Sequence, residues 1–207
     1  MNIIDMHCDT LYQIYNAKRE GRTFSMRDTA SLLVNALKMK AGGYLLQNFA
    51  AFVDIEEAKE VLGGEDAPYR YAKELVRIFK EQIAANSDLI RPAASFAELQ
   101  ANQEAGVASA MLTLEEGGIC LGDIEKLREF YQDGARMMTL TWNYENEIGY
   151  PAAMQKEGSS GYRRGEKRTY GLKETGIQFL SEMETLGMII DVSHLSDDGF
   201  FDVYEHT

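Results

Sequence analysis

Cysteine and proline are scarce in this chain, which has only two cysteines and three prolines among its 207 residues. Two cysteines are too few for a disulfide framework, so we expect Cys8 and Cys120 to be small apolar residues rather than a redox pair. The sequence also lacks repeats, Pro-rich linkers and low-complexity segments. It therefore predicts a single domain over residues 1–207.

The chain also has fewer basic than acidic residues, and it has no long apolar run. The 21 Lys and Arg residues are outnumbered by 33 Asp and Glu residues, so the net charge of -12 disfavours nucleic acids and anionic membrane surfaces as partners. No uncharged apolar run approaches the roughly 20 residues that cross a bilayer. The N-terminus has no basic segment of a secretory signal, so we expect a cytoplasmic location. A basic run in a Gly-rich loop is expected to be a solvated face, and it comprises Arg163, Arg164, Lys167 and Arg168.

Hydrophobic residues make up 45% of the chain and form apolar runs that alternate with helical patterns. The runs predict strands that are buried on both faces, as in parallel sheets. The predicted strands cover residues 3–10, where the apolar run stops before His7 and Asp9, and residues 44–53, 107–114, 137–141 and 188–192. Strand followed by helix, repeated, predicts an α/β fold, either an open doubly wound sheet or a (β/α) barrel. No Gly-x-Gly-x-x-Gly turn follows the first strand, which argues against the nucleotide-binding form of the open sheet.

Several helix starts are marked by residues that can cap them. Asp123 is expected to cap a helix that runs to Gln132, and Ser95 begins another helix with a Ser-x-x-Glu capping box. A further helix is expected to begin at Thr29 or Ser31.

Polar side chains follow three of the apolar runs, at the point where each run ends. His7 and Asp9 come first, Glu116 follows the central run, and His194 follows the last one. In a barrel the carboxyl ends of the strands share one face, where two imidazoles and two carboxylates would form a hydrolytic metal centre. Each residue also has a purely structural alternative: a capping Asp9 beside a buried His7, a capping or core His194, and a Glu116 that simply precedes a Gly-Gly turn.

Four segments of the chain together resemble the renal (membrane) dipeptidase family of zinc peptidases. The resemblance is carried by residues 5–10 (Asp-Met-His-Cys-Asp-Thr), 114–118 (Leu-Glu-Glu-Gly-Gly), 140–143 (Leu-Thr-Trp-Asn) and 186–194 (Leu-Gly-Met-Ile-Ile-Asp-Val-Ser-His), with Gly171, Leu172 and Gly176 between the last two. It implies a TIM-like (β/α) barrel of the metal-dependent hydrolase type. It also implies a binuclear zinc site that hydrolyses dipeptides.

The resemblance assigns roles to individual residues of this chain. His7 and Asp9 would bind one zinc ion, His194 would bind the second, and Glu116 would bridge the two as the catalytic carboxylate. Glu115 is the neighbouring alternative, and Glu116 is preferred because the family's glutamate directly precedes the Gly-Gly pair. Residues 142 and 143, Trp and Asn, would contact a dipeptide or small amide substrate.

The chain is short for this fold, because a TIM barrel takes about 250 residues and eight strands. We expect a barrel truncated after five or six strands, the N-terminal portion of a metallo-dipeptidase, completed by a further C-terminal portion or by a second chain in a homo-oligomer. The second histidine on the second zinc, a proton-shuttling aspartate and a substrate-binding arginine of the family would all follow residue 207. Low or absent activity of the isolated chain is therefore expected. The alternatives are a non-catalytic truncated remnant and another barrel-type metal amidohydrolase.

Overall fold

The computed structural model describes residues 2–156 and 169–207, so the basic run of residues 163–168 lies outside the described residues. The chain divides into two compact units. Unit 1 comprises Met1–Phe52 and Ala72–Thr113, and unit 2 comprises Val53–Tyr71 and Leu114–Thr207. Among the described residues, no helix is both long enough and apolar enough to cross a membrane.

Unit 1 is built from parallel strands that alternate with helices. Its elements in chain order are β1 (Ile3–Asp5), α1 (Thr10–Arg19), α2 (Ala36–Gly42), β2 (Tyr44–Phe52), most of α4 (Ala67–Ala85), β3 (Ile90–Pro92), α5 (Phe96–Glu104) and most of β4 (Ala108–Glu115). Strand β1 pairs with β2, which neighbours β4, and β3 also pairs with β4. Both the β1–β2 pair and the β3–β4 pair are parallel, and parallel pairing was predicted for the strands that the apolar runs identified, β1 and β2 among them.

Unit 2 continues the same alternation. It contains α3 (Ile55–Leu62), the start of α4, the end of β4, a 3-10 turn (Gly117–Cys120), α6 (Ile124–Gln132), β5 (Ala135–Thr139), a second 3-10 turn (Ala152–Met154), α7 (Glu174–Leu186), β6 (Ile189–Asp191) and α8 (Asp197–His206). Strands β5 and β6 are parallel, with Thr139 opposite Asp191. The α/β class is therefore confirmed, with six strands in the described residues.

Two local predictions need correction, and one strand was missed. Strand β1 ends at Asp5 rather than at residue 10. The helix expected from residue 29 or 31 begins only at Ala36, because the side chain of Asn35 accepts the Lys38 N–H and caps it there. Strand β3, Ile90–Pro92, was not predicted, because three residues that include an arginine and a proline give no apolar run. The caps at Ser95 and Asp123 are confirmed.

An ion-pair network on unit 1 joins α1 to α4. Both oxygens of Glu74 accept hydrogen bonds from Arg77, at 2.6 and 2.8 Å, and Oε1 also accepts one from Lys18 at 3.0 Å. The hydrogen bonds from Arg77 lower the pKa of Glu74 to about 2, against the opposing effect of partial burial. The charged form of Glu74 is therefore the form that stabilises the fold.

Replacing Glu74 with glutamine is expected to lower the free energy of unfolding by about 1 kcal/mol at pH 7, because the pair is partly exposed. The folded pKa lies below the ordinary value of 4.5, so this contribution is complete above that value and is lost as the pH falls towards about 2. Urea unfolding at a series of pH values measures it. The matched control is Glu104→Gln, an exposed residue at the end of α5. An equal, pH-independent effect of both variants would contradict the prediction.

Candidate metal centre

The first candidate pair, His7 and Asp9, lies in unit 1 between β1 and α1. The Nε2 atom of His7 is 3.1 Å from Oδ1 of Asp9, and their side chains are 46% and 47% exposed. Asp9 is the N-cap residue of α1, yet its side chain makes no capping hydrogen bond to the described residues. Neither part of the structural alternative, a buried histidine and a capping aspartate, is therefore found here.

Cys8 lies between these two residues in the chain but, unlike them, is buried. It is 7% exposed, and burial raises the pKa of its thiol to about 12. Burial likewise raises the pKa of Cys120 in unit 2. Because thiolate is the form that binds metals and reacts, both cysteines are poor ligands and poor nucleophiles.

The second candidate pair lies in unit 2 and consists of Glu115 and His194. Glu115 is the last residue of β4, and His194 follows β6 by three residues. Their Oε1 and Nε2 atoms are 3.6 Å apart, with the glutamate side chain 10% exposed and the histidine side chain 41% exposed. A carboxylate and an imidazole at this separation can share a cation.

A hydrogen-bonded turn after β6 leads into His194. Oδ1 of Asp191 accepts the N–H of Ser193 at 3.0 Å and its hydroxyl at 2.8 Å, while Oδ2 accepts the hydroxyl of Thr139 at 2.6 Å. Burial would raise the pKa of Asp191, but these hydrogen bonds outweigh it and lower the pKa. His194 itself has φ 63°, in the left-handed backbone region that residues other than glycine rarely occupy. Its carbonyl oxygen accepts the Ala152 N–H at 2.7 Å.

Glu116 lies deeper than Glu115 and is fully buried. Its Oε1 accepts the Gly118 N–H at 2.7 Å and the side-chain amide of Asn146, and its Oε2 accepts the Trp142 N–H at 2.8 Å. Burial raises the pKa of Glu116, against the opposing effect of these hydrogen bonds. Both of its oxygens are thus used in binding the surrounding chain.

The two residues predicted to contact substrate follow β5. The Trp142 ring is half-buried, with its centroid 6.4 Å from that of the His194 ring and 6.0 Å from that of the Tyr144 ring. Asn143 is exposed. Trp142 is therefore beside the second candidate pair.

A cavity of about 410 Å³ lies within unit 2 next to Glu116. Gly118 and Asn146, which bond to Glu116, form part of its wall. Four carboxylates and one lysine give it an acidic lining, which disfavours an anionic occupant. The lining residues are Ile55, Glu56, Lys59, Glu65, Pro68, Gly118, Leu121, Tyr144, Glu145, Asn146 and Glu147.

Sequence reasoning missed two residues that support the second candidate pair. Asp191 belongs to the segment that carries the resemblance, but the motif alone gives it no separate role. Asn146 binds Glu116, the Leu140 carbonyl at 2.9 Å and the Ile148 N–H at 2.8 Å, all within unit 2. Its position in a polar run after β5 was the only signal in the sequence.

Comparison with known proteins identifies a family. The family model described as membrane dipeptidase, peptidase family M19, matches residues 1–207. Among curated proteins, an uncharacterized dipeptidase of Schizosaccharomyces pombe is 26% identical over 213 residues, covering 99% of this chain and 49% of that protein. An uncharacterized protein in the pqqA 5' region of Klebsiella pneumoniae is 30% identical over 130 residues, 62% of this chain and 45% of that protein. The chain thus spans about half the length of these curated relatives.

A solved structure shows the same fold. It is a metallo peptidase from Rhodobacter sphaeroides, liganded with a phosphinate mimic of the dipeptide L-Ala-D-Ala. The TM-score is 0.81 at 20% identity, and the match covers 100% of this chain and 62% of that one. The likeness confirms an α/β chain with the strand and helix order of the TIM-like barrel of this fold family.

Proposed function

The chain belongs to the membrane dipeptidase family, peptidase family M19, a family of metallopeptidases, and on that premise we propose that it is a zinc-dependent dipeptidase chain that hydrolyses the peptide bond of dipeptides. The observation that carries the proposal is the pairing of Glu115 with His194, 3.6 Å apart at the ends of β4 and β6. A binuclear site and zinc as the metal are both parts of the proposal. Low or absent turnover by the isolated chain stays a prediction. The cytoplasmic location, the single domain and a homo-oligomer stay predictions.

The donor set fits zinc. Imidazole nitrogens and carboxylate oxygens are common zinc ligands, and the two thiols, which would also suit zinc, are buried with raised pKa values. We propose that His7 and Asp9 hold one ion and that Glu115 and His194 hold the second. When bound, the ions supply Lewis-acid chemistry that polarises the peptide carbonyl and makes water more acidic.

Glu115 is proposed as the ligand in place of Glu116. The sequence favoured Glu116 because it directly precedes the Gly-Gly pair, but its two oxygens already accept three N–H groups. Glu115, by contrast, is within 3.6 Å of a histidine nitrogen. Whether either glutamate bridges the two ions stays a prediction.

The other residues have positioning roles in this proposal. The turn formed by Asp191 and Ser193 fixes the direction of the His194 imidazole. Trp142 places an aromatic wall beside that imidazole, where it would exclude water from one side of a bound dipeptide. Asn143 is exposed after it and would offer the substrate a polar amide.

Elemental analysis of the dialysed chain, followed by a turnover assay, tests the function. We expect zinc to be retained, and we expect any turnover of Ala-D-Ala to depend on it and to stop when a chelator removes it. The same assay includes an N-acylated amino acid and a cyclic amide as controls. Preferential turnover of either control would favour another amidohydrolase, and a chain that retains no zinc would contradict the proposal.

A further inference from the structure

Glu116 directly follows β4 and is fully buried. Both oxygens of its carboxylate accept hydrogen bonds. The three groups that donate to it come from two segments of unit 2. Gly118 lies in the 3-10 turn directly after β4, whereas Trp142 and Asn146 lie in the segment after β5. The carboxylate therefore ties the ends of two strand segments together.

The backbone at Glu116 is strained, with φ 95° and ψ 96°. This conformation has a free-energy cost for a residue with a side chain, and it persists only where the surroundings enforce it. The hydrogen bonds to the Glu116 carboxylate are what enforce it here. Glu115 is the preceding residue and the last residue of β4. The backbone conformation of Glu116 therefore determines where the chain leaves the strand after Glu115.

Close packing leaves the turn no room to shift. A Cβ atom built on Gly117 would lie 2.7 Å from the carbonyl oxygen of Leu140, and one on Gly118 would lie 2.8 Å from Oε1 of Glu116. Asn146 also donates to the Leu140 carbonyl at 2.9 Å, so its amide joins the same two segments. The carboxylate, the two glycines and this amide form one clamp.

We propose that Glu116 is a positioning residue that directs Glu115 towards His194 and does not itself bind metal. This inference rests on the proposed function. The Glu116 clamp fixes the strained turn, and the turn aligns the Glu115 carboxylate with the imidazole. Loss of the clamp weakens metal binding but leaves the set of ligands unchanged.

Glu116→Gln tests the proposal, because glutamine keeps the shape but places an amide donor against the N–H of Trp142 or of Gly118. At saturating metal we expect the wild-type number of ions per chain and an unchanged Co²⁺ absorption spectrum. The metal affinity should fall about 10–100-fold, the range seen when groups that orient ligands are removed. Glu147→Gln removes the charge of an exposed side chain next to Asn146 and serves as the matched control, with no change in affinity expected.

A second measurement reports on the clamp without any metal. In Glu116→Gln, deuterium exchange of at least one of the Trp142 and Gly118 amides should be at least about tenfold faster. In the shorter Glu116→Asp both amides should exchange faster, and in Glu147→Gln neither should. Unchanged protection would overturn the proposal, and so would loss of an ion or an altered cobalt spectrum at saturation. If the wild-type chain binds no metal while exchange accelerates as expected, the proposed function fails and the clamp stands.

Discussion

Replacing Gly176 with alanine is expected to lower the free energy of unfolding by about 3 kcal/mol, a large effect for the addition of one methyl group. Gly176 is buried in the first turn of α7, and a Cβ atom there would overlap the carbonyl oxygen of Ile148 and lie 3.1 Å from its carbonyl carbon. That oxygen accepts the Lys173 N–H at 2.8 Å, so it cannot move away without breaking a hydrogen bond. Urea unfolding followed by fluorescence of the single tryptophan, Trp142, measures the change.

Gly187 provides the matched control at the other end of the same helix. It has φ 70°, and a Cβ atom added there would meet no other atom within 4 Å. Alanine at this position should therefore lower the free energy of unfolding by only about 1 kcal/mol, the strain of the left-handed backbone conformation. A Gly176→Ala variant that is no less stable than Gly187→Ala would contradict the packing argument.

The apolar runs predicted most of the fold, because burial on both faces leaves a clear signal. The runs at residues 44–53 and 107–114 correspond to β2, Tyr44–Phe52, and β4, Ala108–Glu115, within one residue at each end. The signal fails where an element is short or its pattern is mixed. Strand β3 has three residues, of which two are exposed, and its pairing with β4 depends on contacts that are distant in sequence.

The strand ends predicted which parts of the chain carry the candidate ligands, but they could not choose between Glu115 and Glu116. Every residue of β4 is buried, so its two faces cannot be told apart by polarity. The choice depends on the positive φ of Glu116, which ends the strand and turns its carboxylate towards Gly118 and Trp142. A non-glycine residue in that conformation has no signature in the sequence. Asn146 was missed for the same reason, since its role depends on that turn.

Loss of a proposed ligand should have the largest effect on metal binding. We expect His194→Ala to weaken binding of one zinc ion by more than about 100-fold. Removal of a group that only orients a ligand already lowers the metal affinity about 10–100-fold, and loss of the ligand itself should lower it further. Glu115→Gln should lose the same ion, because its oxygen lies 3.6 Å from the His194 nitrogen. Zinc titration against a chromophoric chelator measures both affinities. Glu184→Gln, an exposed carboxylate on α7, is the control and should bind as the wild type does.

The double variant His194→Ala/Glu115→Gln tests whether these two residues hold the same ion. The effects of two substitutions on metal affinity do not add when both residues bind one ion. We expect it to lose no more zinc than either single variant does. His194→Ala combined with His7→Ala should instead lose both ions, since His7 and Asp9 are the residues proposed to hold the other ion. A Glu115→Gln chain that loses both ions would show that this carboxylate bridges them. One that keeps both ions, while Glu116→Gln loses one, would return the ligand role to Glu116 and overturn the assignment made from the hydrogen bonds.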